Sequence, residues 1–74
     1  MLSFEWDKNS EQLEVHADHA GLEELILHIN RLISSDECEH VHLMSKAWGG
    51  VELSDDRQNQ EAELINHVKL FKWD

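Results

Sequence analysis

The stretch Leu22-Glu23-Glu24-Leu25-Ile26-Leu27-His28-Ile29-Asn30-Arg31-Leu32-Ile33 decides the fold. Leu22, Leu25, Ile26, Ile29, Leu32 and Ile33 recur at steps of three and four, which places all six on one stripe of a helix. Asp18 stands where an N-cap would accept backbone N–H bonds, with Glu23 and Glu24 near the positive end of the helix dipole. Arg31 suits the last turn, and Ser34-Ser35-Asp36 is where turn chemistry takes over from helix propensity.

Outward from this helix the period changes from 3.6 to 2. Leu2, Phe4 and Trp6 alternate with Ser3 and Glu5, so residues 2–7 read as a strand with one buried face. After the turn formers Asp7-Lys8-Asn9-Ser10, Leu13, Val15 and Ala17 alternate with Gln12, Glu14 and His16, which completes a hairpin. Beyond the helix a third strand begins near Glu39, with Val41 and Leu43 on one face and His40, His42 and Met44 on the other. The run from Asn66 to Trp73 places Val68 and Leu70 on one face and His67, Lys69, Phe71 and Trp73 on the opposite one.

The connection from Ser45 to Glu63 contains Trp48-Gly49-Gly50 and the polar stretch Ser54 to Glu61. Structureless connections of that length are functional, mobile, or contain a further element, and a short helix after a Ser54 cap is one candidate. The order strand, strand, helix, strand, strand predicts an α+β fold. Its sheet would be small, mainly antiparallel and four-stranded, in the order 2-1-3-4, with the amphipathic helix packed on one face. Residues 1–74 would form one domain.

Sixteen acidic residues against six basic ones give a net charge of −10. Such a field repels phosphate backbones and anionic lipid and attracts basic proteins, so neither nucleic acid nor a membrane is the expected direct partner. The single cysteine, Cys38, cannot form an internal disulfide, and Met1-Leu2-Ser3-Phe4-Glu5-Trp6 lacks the basic start and apolar run of a secretory signal; both suit a cytoplasmic protein. A core this thin contributes only about 3 to 5 kcal/mol of net stability, which makes a homodimer a natural third reading, its aromatic face used up by a two-fold contact.

Cys38, His40 and His42 stand two apart on one strand and raise a metal reading. Three residues in a row cannot all reach one ion, so a site would need His40, His42 and a group such as His67 from a neighbouring strand. The simpler reading is an exposed, hydrogen-bonding row of histidines with no cofactor. Cys38 beside a histidine lacks an oxyanion hole and a third, positioning residue, and a single helix on a small sheet seldom encloses a pocket of about 300 Å³. No catalytic residue is therefore expected. Trp48 either plugs the end of the core or projects as an anchor for a partner, and two glycines after it permit a sharp reversal. Met44, Phe71 and Trp73 beside the histidines make an apparent outer patch, unless a bulge turns the aromatics inward.

His40-Val41-His42-Leu43-Met44, Trp48-Gly49-Gly50, Glu52-Leu53-Ser54 and Leu64-Ile65-Asn66-His67-Val68-Lys69 ahead of an aromatic end together resemble the immunity protein 32 family of bacterial polymorphic toxin systems. The likeness runs from about Leu13 to Trp73. It implies a small, cofactor-free α+β protein, made beside a toxin gene, that binds its cognate toxin and blocks it. The acidic charge points to a toxin with a basic active site, such as a nuclease domain. The region expected to meet it comprises His40, His42, Trp48, Glu52 and His67. Asp55, Asp56, Glu61 and Glu63 would supply steering, and Trp48 or Trp73 an apolar anchor.

Overall fold

A hairpin of two six-residue strands opens the chain, β1 (Leu2–Asp7) and β2 (Gln12–Ala17). In its turn Asp7 accepts the backbone N–H groups of Asn9 and Ser10, the local bonding expected of an aspartate in a turn, and Glu11 takes a left-handed φ of 53°, uncommon for a residue with a side chain. The helix α1 (His19–Ile33) follows, then β3 (His40–Met44), a 3-10 turn (Lys46–Trp48), β4 (Glu63–Ile65) and β5 (His67–Phe71). This computed structural model describes residues 1–37 and 39–73, so Cys38 lies outside the described residues.

All ladders are antiparallel: β2-β1-β4 form one sheet and β3-β5 a second. The α+β class and the helix-on-sheet arrangement are as read from the sequence; the strand order is not. The strand beside β1 is β4 rather than β3: β4 is an extra strand just ahead of the expected Asn66–Trp73 strand, which is β5 and pairs with β3 as expected, and Asn66 divides the two. Asn66 turns its carbonyl to the Ser45 N–H at 3.0 Å and its side-chain oxygen to the buried Ser45 hydroxyl at 2.8 Å. It thereby passes the chain from pairing with β1 to pairing with β3. The long connection ends at Glu63, where β4 begins, and no helix follows Ser54 among the described residues.

Asp18 caps α1 by accepting the Gly21 N–H at 2.8 Å. The first turn contains no acidic residue, so the negative charge at this end of the dipole is that of Asp18 rather than of Glu23 and Glu24. The core is thin: Leu2, Leu43 and Leu53 form its centre, with Phe4, Ala17, Leu25 and Val68 packed around them. Of the six-residue apolar stripe only Leu32 is buried and Leu25 half-buried. The helix is rotated so that Gly21 faces the sheet, where a Cβ would collide with the Met1 carbonyl, and this rotation leaves Leu22, Ile26, Ile29 and Ile33 uncovered.

The polar face of β1 is not solvated as the alternation suggested. Ser3 and Glu5 are both fully buried, because the segment around Gln58 and Asn59 folds over them. Glu5 accepts the Ser3 hydroxyl at 2.6 Å and the Gln58 and Asn59 backbone N–H groups at 3.0 and 2.9 Å. Burial raises the pKa of this carboxyl, but the three hydrogen bonds and nearby His16 outweigh it and hold the value below the ordinary carboxylate range.

Candidate partner interface

Register places the outer-face residues. His40 lies opposite Phe71, His42 opposite Lys69 and Met44 opposite His67, so one pleat phase sends all six away from the helix. Val41 with Leu70 and Leu43 with Val68 take the other phase and line the core side. No bulge turns the aromatics inward: Phe71 is half exposed, and Trp73 is 80% exposed. Phe71 stacks with Trp73 at 6.3 Å between ring centroids, tilts onto His40 at 5.2 Å, and lies 5.1 Å beneath the Lys69 ammonium. An aromatic strip with a cation over its centre is thereby presented to solvent.

The three histidines form a row. His42 occupies the middle, its Nε2 3.1 Å from the His40 Nε2 and its Nδ1 2.8 Å from the His67 Nε2. Each contact needs one N–H and one lone pair, so three neutral rings satisfy the row. Because His42 directs its two nitrogens to different neighbours, the rings do not converge on one point. Among the described residues no group of three or more His, Cys, Asp or Glu could hold a metal ion. Desolvation, then the adjacent His40, His67 and Lys69, lower the His42 pKa from its ordinary value.

The 3-10 turn extends this surface. Gly49 closes it in the left-handed region, φ 88°, and the Trp48 and Gly50 N–H groups both reach the Ser45 carbonyl. Trp48 is 57% exposed, which overturns the core plug as its role. Leu53, 2% exposed, takes the core position instead, drawn in by its N–H bond to the Met44 carbonyl. Glu52 is spent locally: its carboxylate accepts the Met44 and Val51 N–H groups at 3.1 Å each. These bonds outweigh its burial and lower its pKa. Asp55 accepts the Ala47 N–H at 2.8 Å, whereas Asp56 and Glu61 are exposed on the long connection and Glu63, on β4, is paired with Trp6. His40, His42, His67 and Trp73 thus share one face. Trp48, Glu52 and Asp55 sit in the adjoining loop, which Ser45 and Asn66 stitch beside His67, while Glu63 belongs to the other sheet.

Lys69 and Phe71 belong to this face as much as the expected residues do, and their alternation with His67 was the signal for it. Two open grooves, about 290 and 280 Å³, run along the helix edge beside Val51 and Glu52. None of the three outer-face histidines lines either one.

The family model described as Immunity protein 32 matches residues 12–68, well over half of the 74-residue chain. The chain belongs to the immunity protein 32 family. Within the immunity protein match lie β2, α1, β3, the 3-10 turn, β4 and the start of β5, and with them every expected interface residue except Trp73. The first strand and the Phe71–Trp73 end of the aromatic strip fall outside it. No curated protein and no solved structure matches the chain. No helix among the described residues is long and apolar enough to cross a membrane.

Proposed function

We propose that this chain neutralises a cognate bacterial toxin by direct, one-to-one binding in the cytoplasm of the cell that makes both. The observation that carries this reading is the outward β3–β5 face. Phe71, Trp73, His40 and His42 stand exposed beside the half-buried His67 on a protein whose family is named for immunity. Aromatic anchors beside adaptable polar rings are the composition of an interface centre, and an acidic surround forms its rim. The mechanism is occlusion. Trp73 and Trp48 fill apolar recesses of the toxin, the histidines exchange their mutual hydrogen bonds for bonds to it, and no catalytic step or cofactor is involved.

The net charge of −10 favours a basic target, such as a nuclease domain whose phosphate-binding groups the carboxylates would meet. Asp55, Asp56, Glu61 and Glu63 supply this long-range attraction, and Glu52 acts by holding the Trp48 loop in shape. Survival of cells expressing the toxin encoded beside this chain, with and without the chain, tests the reading when followed by co-purification. Rescue with a co-purifying pair supports binding. Rescue without any complex, or none at all, removes it. Inhibition that is unchanged across a wide range of salt would remove the basic-target part alone.

A further inference from the structure

The single chain leaves more surface uncovered than its mass warrants. A folded monomer of this size is expected to expose about 4,700 Å², and this one exposes 5180 Å². Its radius of gyration, 12.9 Å, exceeds the roughly 11 Å of a compact chain of this length. Seven of the exposed large hydrophobic side chains lie on the helix ridge and the hairpin. On α1, Leu22, Ile26, Ile29 and Ile33 are 40 to 67% exposed along one ridge. On the hairpin, the cross-strand neighbours Trp6 and Leu13, with Val15 beside Phe4, are 37 to 56% exposed on the face that carries Leu2. Both sets border the same core, the ridge next to Leu25 and the strip next to Phe4.

We infer that this helix-and-hairpin face is where a second copy of the chain docks, in a two-fold dimer that leaves the His40–Trp73 face open. With roughly 150 Å² or more for each large side chain, the uncovered fractions amount to on the order of 500 Å² of apolar surface per chain. A standard interface takes about 800 Å² from each partner, so the face supplies its apolar centre and a modest polar rim completes it.

The face has two unlike halves, a helical ridge and a flat strip of sheet. A two-fold axis lays the ridge of each copy on the strip of the other, so one self-complementary contact covers both. None of its side chains is ionised, so the acidic field that would draw in a basic partner does not mark it. The same field makes two copies repel, and their association is therefore apolar and strengthens as salt screens that repulsion.

Sedimentation equilibrium of the full chain across micromolar concentrations, at low and high salt, tests the inference. Wild type is expected to dimerise, more tightly at high salt. Ile26→Glu should weaken the dimer roughly a hundredfold or more, and Phe71→Glu on the opposite face should leave it unchanged. If Ile26→Glu fails to fold, Leu13→Lys gives the same readout from the sheet half. A wild type that stays monomeric throughout would overturn the inference. So would a dimer indifferent to both face variants, one abolished by Phe71→Glu, or one that loosens as salt rises.

Discussion

The buried carboxylate of Glu5 lies 2.9 Å from the backbone nitrogen of Asn59, a residue 54 positions further along the chain. This contact folds the long polar connection onto the inner strand. Glu5→Gln puts an amide group against N–H donors and is expected to cost about 2 kcal/mol or more. Urea denaturation should show the loss, and hydrogen exchange at Gln58 and Asn59 should quicken before the rest of the chain; unchanged exchange there would contradict the clasp.

Acid should loosen the same clasp. Glu5 and Glu52, both gripping backbone N–H groups, have folded pKa values below the ordinary carboxylate range. The stability they contribute is therefore fully present above the unfolded value near pH 4 and is lost as pH falls through the folded values below it. Thermal melts should decline below about pH 4, and Glu5→Gln should shrink that decline.

A second pH dependence has the opposite chemistry and the same direction. Protonation is disfavoured at His42 in the folded chain, so the unfolded chain takes up that proton first. Its contribution is complete above the ordinary histidine pKa of about 6.5 and falls as pH drops through that value, levelling off below the folded pKa. His42→Gln should flatten the slope of Tm between pH 7.5 and pH 5.5; an unaltered slope would mean the row does not couple.

The two neighbouring glycines should not be equivalent. Gly49 has open space around a would-be Cβ and only its φ of 88° to resist one, whereas at Gly50 a Cβ would run into the Met44 carbonyl. Gly49→Ala is expected to cost about 1 kcal/mol. Gly50→Ala should cost clearly more and displace the 3-10 turn, visible as a change in tryptophan fluorescence. Equal effects at both positions would argue against the close approach at Met44.

The helix, the hairpin and the outer pleat phase of β3 and β5 were all legible in the sequence, because periods of 3.6 and 2 report directly on which residues share a face. What stayed hidden depended on contacts distant in sequence. Asn66 reads as one more residue of a strand until Ser45 engages both its oxygens. Glu5 reads as solvated because nothing local announces that Asn59 will cover it. Trp48 could have filled the core or faced water, and the outcome turned on Leu53 reaching the core. The four uncovered residues of the α1 stripe looked like core for the same reason: periodicity shows that a face is apolar, not what covers it.

Titration of the purified cognate toxin with this protein, comparing wild type, Trp73→Ala and Trp48→Ala, asks whether the exposed tryptophans anchor the toxin. The three should share one melting temperature within the scatter of surface substitutions, because both tryptophans are exposed. Wild type should abolish toxin activity at one equivalent, and Trp73→Ala should bind at least tenfold more weakly, as expected for an anchor worth about 2 kcal/mol. Full inhibition at one equivalent by a Trp73→Ala, Trp48→Ala double variant would contradict the account and place the toxin elsewhere on the molecule.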